Sequence, residues 1–173
     1  MTGIGSGQGP GLSIHDLGIP PAREVSPAKI NLLSQPAVAE RVGSMLAEQI
    51  ADRNIDVVLS WDESEDVVLA HIVGREIGSR TVQAYKSGGI LFLTDGIASG
   101  EKVLLVSDTF RSPHDLLGPI GLVHSVGAEI VLVAAIVSSP HLVDIQSDDI
   151  DTTALALPDP EGAAETTDTD SPK

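Results

Sequence analysis

Cysteine is absent from this chain of 173 residues, which excludes disulfides, thiolate metal sites and cysteine nucleophiles and fits a cytoplasmic protein. Aromatic residues are almost as scarce, at 2%, so any core has to be built from Val, Ile, Leu and Ala. Basic residues are few: 10 Lys and Arg stand against 25 Asp and Glu, a net charge of −15. Neutralising a phosphate backbone takes Lys and Arg, so nucleic acid is not expected as a partner. No apolar run approaches the roughly 18 residues of a membrane span, so no membrane partner is expected either. Residues 1–11 are rich in glycine but lack a basic stretch followed by an apolar one, so they read as a mobile arm rather than a signal peptide.

What is present is enough for one domain with a proper core, since 42% of the residues are hydrophobic. The charge is unevenly placed. From 147 to 173 there are eight acidic residues and one Lys, about −7 of the −15. With Pro158 and Pro160 among them, this segment reads as a disordered, solvating acidic tail. At the other end, Pro20, Pro21, Pro27 and Pro36 punctuate an irregular segment over 1–36 that can pack across one edge of the domain.

The body, 37–146, alternates helical and strand patterns. Val38, Val42, Met45, Leu46 and Ile50 recur at spacings of three and four, which predicts a helix. A strand follows at 55–60, then a helix over 67–77 stopped by Gly78, and strands at 81–85 and 90–94. The apolar run 103–106 predicts another strand, 112–126 a helix and 129–137 a long strand. The order helix, strand, helix, three strands, helix, strand predicts an α/β fold, a mostly parallel twisted sheet flanked by helices.

Chemistry concentrates where strand 103–106 runs into Ser107, Asp108 and the next helix, because open α/β sheets bind ligands beyond the carboxyl ends of their strands. Ser112 as N-cap, Pro113 at the first helical position and Asp115 three residues after the cap make a good helix start. The loop Trp61-Asp62-Glu63-Ser64-Glu65-Asp66 is crowded with carboxylates. It admits a hard-cation site, although acidic residues in the first turn of a helix are the plainer account. Trp61 either stacks on a base or shields the sheet edge. The five histidines show no paired zinc spacing, and no serine lies in a nucleophile elbow.

Three stretches carry a resemblance: the helix ending Val73-Gly74-Arg75-Glu76-Ile77-Gly78, the pair Tyr85-Lys86, and the run Gly100-Glu101-Lys102-Val103-Leu104-Leu105-Val106-Ser107-Asp108. Together they make 55–137 resemble the type I phosphoribosyltransferase family, whose signature is two acidic residues, three variable positions and a small-residue phosphate loop. Here Ser107 and Asp108 stand for the acidic pair, and Ser112, Pro113, His114 and Asp115 for the loop. Pro113 has no N–H to give, and Asp115 puts a carboxylate where the resemblance implies a phosphate.

The resemblance implies a ligand-binding set of Asp108, Ser107, Thr109, Arg111, Ser112, Lys86 and Trp61, with Asp108 and Asp62 as candidate metal ligands. Three functions follow from it. The first is a protein that binds a nucleotide or ribose-phosphate with weak or absent transfer. The second is an active phosphoribosyltransferase joining a nucleobase to phosphoribosyl pyrophosphate with Mg²⁺. The third is a protein-interaction module. A binding module should keep a pocket lined by Asp108, Trp61 and Tyr85, and a homodimer is compatible with any of the three.

Overall fold

The computed structural model describes residues 12–19, 32–146 and 150–157. The glycine-rich residues 1–11 and most of the expected acidic tail (147–149 and 158–173) lie outside the described residues. Within them the chain runs α1 (Pro36–Ile50), β1 (Val57–Trp61), α2 (Ser64–Ile77), β2 (Arg80–Ser87), β3 (Ile90–Leu93), β4 (Lys102–Ser107), α3 (Pro113–Ser125), β5 (Glu129–Val137), α4 (Pro140–Gln146) and β6 (Thr152–Ala156). The sheet has the order β3-β2-β1-β4-β5-β6 and is parallel except for β3, which returns antiparallel along β2. This is the α/β architecture that the alternating pattern predicts.

Each face of the sheet carries its own core, as expected when crossover helices cover a parallel sheet on both sides. Val58, Leu104, Val106 and Ile136 face α1 and α2, while Val57, Leu59, Val103 and Leu105 face α3 and α4. The alternation slips within β5. The register of β5 against β4 slips by one residue, pairing Val103 with Ile130 but Leu104 with Leu132. Val131 and Leu132 then both lie on the α1–α2 side, the signature of a bulge.

One expectation about the chain ends is corrected. The segment predicted as tail from 147 contributes β6, whose Thr152, Thr153 and Ala154 pair with Val133, Ala134 and Ala135 of β5. The uncharged run Thr152–Leu157 sits between acidic neighbours, and the density of carboxylates masks it in the composition. The sequence pattern likewise misses α4. At the other end the proline-punctuated segment does reach the domain. Leu17, Ile19 and Leu32 are buried in the α1–α2 core, Leu12 bridges Ala156 of β6, and the Arg41 guanidinium donates to the Leu17 carbonyl.

The helices α1 and α2 meet through a glycine. A Cβ at Gly43 would lie 2.5 Å from Cγ2 of Ile72, whereas at Gly121 on α3 it would meet nothing within 4 Å. Gly43→Ala is therefore expected to destabilise the protein by roughly 1–3 kcal/mol through overpacking. Gly121→Ala should be neutral, or stabilise by up to about 1 kcal/mol, because alanine is the better helix former. Urea unfolding of the two variants checks both; equal effects would mean that the helices separate readily.

Candidate functional site

The chain moves outward from β1 to β2 and β3, then returns to the other side of β1 for β4 and β5. The loops after β1 and β4 therefore diverge, which opens a crevice at the carboxyl ends of these neighbouring strands. A cavity of about 250 Å³ occupies it. The end of β1 supplies Trp61, the loop after it Asp62 and Glu63, and the first turn of α2 Asp66. Lys86 comes from the end of β2, Ser107, Thr109 and Arg111 from the end of β4 and its loop, and Asp115 from the first turn of α3.

The floor is a contact between acidic residues. Asp66 and Asp108 are only 4% and 3% exposed. Asp66 accepts the Asp108 backbone N–H at 2.8 Å on Oδ1 and the Ser107 hydroxyl at 3.2 Å on Oδ2. Burial pushes the Asp66 carboxyl up to about 7; the two hydrogen bonds oppose the shift, and the charges of Asp108 and Glu63 reinforce it. Asp108 is also raised by burial, against the pull of Arg111, whose Nη2 lies 2.7 Å from Oδ2. Its Oδ1 accepts the Thr109 N–H at 2.5 Å. Burial works against the Arg111 charge, but the hydrogen bond and charge of Asp108 outweigh it, so its pKa moves up.

The roof is the start of α3. Ser112 and Asp115 form the capping box that their spacing predicts. One carboxylate oxygen of Asp115 accepts the backbone N–H groups of both Ser112, at 2.9 Å, and Arg111, at 3.1 Å. Trp61 closes the side: its indole N–H donates to the Asp115 carbonyl at 3.0 Å, and Lys86 Nζ sits 5.0 Å from the ring centroid.

Six residues singled out in the sequence thus meet around one cavity: Trp61, Asp62, Lys86, Ser107, Thr109 and Arg111. Asp108 lies buried beneath the wall, its carboxylate covered by Arg111 and Thr109, which do line the cavity. Ser112 is not among the lining residues either and caps α3 instead. Tyr85 is absent from the wall. Strand alternation sends it to the face opposite its neighbour Lys86, where it stacks on Phe92 with ring centroids 5.6 Å apart. Asp66, missed as a site residue, was accessible to the pattern: it falls in register with Leu69, Ala70 and Val73 on the buried stripe of α2.

The candidate metal pair does not fit a resident ion. Both oxygens of Asp108 are engaged, and among the described residues no group of three or more acidic or His side chains could hold a metal.

No family model matches the chain. An orotate phosphoribosyltransferase from Caldicellulosiruptor bescii is 34% identical over 108 residues, which cover 61% of this chain and 56% of that protein. The corresponding enzyme of Caldanaerobacter subterraneus is 32% identical over the same length. The adenine phosphoribosyltransferase of Trypanosoma brucei, solved with AMP, pyrophosphate and ribose-5-phosphate, superposes with a TM-score of 0.65. That match has 15% identity and covers 84% of this chain and 76% of the other. The chain is a distant relative in sequence of the orotate phosphoribosyltransferases, shares its fold with the adenine phosphoribosyltransferases, and spans about half the length of the curated relatives it matches. The orotate phosphoribosyltransferase of Mycobacterium tuberculosis, solved with inorganic phosphate, shares the fold with a TM-score of 0.62 and 20% identity, covering 75% of this chain and 76% of the other.

The raised Asp66 has a measurable consequence. Its folded-state pKa lies above the unfolded one, so folding takes up a proton between about pH 4 and pH 7. The stability this contributes is fully present below the ordinary carboxylate pKa and is lost as pH rises through about 7. Asp66→Asn keeps an acceptor for the Asp108 N–H without the charge. Between about pH 5 and about pH 8.5, unfolding should shift in favour of this variant over the wild type by roughly 2 kcal/mol. A difference that stays constant with pH would mean Asp66 is already ionised in the fold.

Proposed function

We propose that this chain binds a ribose-bearing ligand of the nucleotide class, a nucleotide or ribose-phosphate, in the crevice between β1 and β4, and transfers phosphoribosyl groups weakly or not at all. The observation that carries this reading is the state of the groups around the cavity. The crevice keeps a walled cavity with Arg111, Lys86 and Trp61 on its lining, in the place where α/β sheets hold ligands. Yet the N–H groups of Arg111 and Ser112 at the start of α3 are already taken by Asp115, and Asp108 is already paired with Arg111. Binding tolerates such engaged groups. Transfer does not, because its rate depends on donors aimed in advance at the charge that develops as the leaving group departs.

Any Mg²⁺ would arrive with a ligand's diphosphate as part of the substrate, since this ion keeps most of its waters and takes one or two carboxylates at most. Asp62 and Glu63 are the carboxylates on the cavity wall from the loop after β1. The active-enzyme reading asks Asp108 to hold the ribose, Lys86 to face pyrophosphate and Ser112 to touch the 5′-phosphate. Of these, Lys86 alone lines the cavity.

Calorimetric titration with AMP, UMP and phosphoribosyl pyrophosphate, with and without Mg²⁺, tests the proposal together with a transfer assay on adenine and orotate. Saturable heat with at least one ligand is expected, weakened about tenfold or more in Lys86→Ala, a loss equivalent to about 1.4 kcal/mol. Turnover is expected far below the roughly 1–1000 s⁻¹ of ordinary enzymes. Turnover within that range would establish the enzyme instead, and silence from every ligand, adenosine and uridine included, up to millimolar concentration would leave the interaction module.

A further inference from the structure

The charges on the cavity wall point to a narrower ligand class than the fold requires. Three carboxylates line it, from Asp62, Glu63 and Asp115, beside the Asp66 carboxyl that burial pushes towards its neutral form, against two cations, Arg111 and Lys86. Both cations already have partners on the protein. Arg111 Nη2 is 2.7 Å from the buried Asp108 carboxylate, and Lys86 lies over the Trp61 ring. Two backbone donors of the loop that enters α3 are also engaged, because Asp115 Oδ2 receives the N–H groups of Ser112 and Arg111. An anion entering here displaces the protein's own carboxylate or lies beside it, and two like charges at close range in a partly buried site repel strongly. Hydroxyl groups and a flat uncharged ring meet no such opposition from Thr109, Ser107 and Trp61.

We propose that Asp115 is a specificity-determining residue that fills the anion position of this cavity, so that the site selects an unphosphorylated nucleoside over the corresponding nucleotide. This rests on the reading above that the crevice binds a ribose-bearing ligand, and it ranks the nucleoside above the nucleotides, which bind there more weakly. Asp115 excludes phosphate twice over. Its carboxylate occupies the N–H groups at the start of α3, and its charge repels whatever approaches them. Its backbone carbonyl holds the Trp61 indole, so the same residue fixes one wall of the cavity regardless of its side chain.

Two substitutions separate occupancy from charge. Asp115→Asn keeps an oxygen that can cap α3 and removes the charge; Asp115→Ser removes the carboxyl group and empties the position. Each is compared with the wild type by calorimetric titration against adenosine and AMP and against uridine and UMP, with thermal unfolding to establish that the protein is folded. In the wild type the monophosphate of a bound pair is expected to bind at least about tenfold more weakly than its nucleoside. The ratio of nucleotide to nucleoside affinity should rise in Asp115→Asn and rise further in Asp115→Ser. A wild type that binds the monophosphate as tightly as the nucleoside, or tighter, overturns the selectivity while leaving the ligand-binding reading intact. An unchanged ratio in a folded Asp115→Asn or Asp115→Ser protein overturns the role of Asp115. If neither nucleosides nor nucleotides bind at millimolar concentration, the ligand-binding reading fails and the selectivity falls with it.

Discussion

The contact between Asp66 and the end of β4 is the constraint around which this site is arranged. A carboxyl group from the first turn of α2 reaches across the crevice and takes the Asp108 N–H and the Ser107 hydroxyl, which fastens a helix to the neighbouring strand where the sheet changes direction. A second carboxylate, Asp108, lies buried in the same place, and two such charges cannot both be sustained away from water without compensation. The protein resolves this in two ways. Asp66 keeps its proton up to about neutral pH, and Asp108 recruits Arg111. The cation that might have faced a ligand is thereby drawn towards the floor.

The start of α3 shows a second conflict with the same outcome. A helix N-terminus offers unsatisfied N–H groups, and either a ligand or the chain itself must meet them. Here the chain meets them, with Ser112 as cap and Asp115 three residues on. The arrangement that makes α3 a stable helix also removes its capacity to cradle an anion. Fold stability and ligand chemistry draw on the same few atoms, and in this chain stability has taken them. The strand order fixes the place of the cavity, while the side chains lining it set what the cavity accepts.

Much of this was legible in the sequence. The helix and strand periods from 37 to 137, the stop at Gly78 and the Ser112–Asp115 cap are local signals, and the structure carries each of them. The segment 152–156 was not legible, because a five-residue strand with no charge of its own is swamped by acidic neighbours on both sides. Nor was the core role of Leu17, Ile19 and Leu32, whose spacing matches neither period and which find their places only against elements already folded.

The class of fold, the junction that bears the site and the capping of α3 were readable along the chain, since each depends on residues within a few positions of one another. Which side chains share the cavity was settled by folding. Lys86 enters it and Tyr85 does not because the pleat of β2 sends neighbours to opposite faces. Asp108, the most prominent acidic residue of the junction, lies buried beneath the wall because Arg111 and Thr109 cover it. Asp66, 42 positions away, takes its place on the wall because the crossover from β1 brings α2 over the end of β4. Burial and charge pairing depend on distances between segments far apart in the chain, and a linear pattern carries no record of those distances.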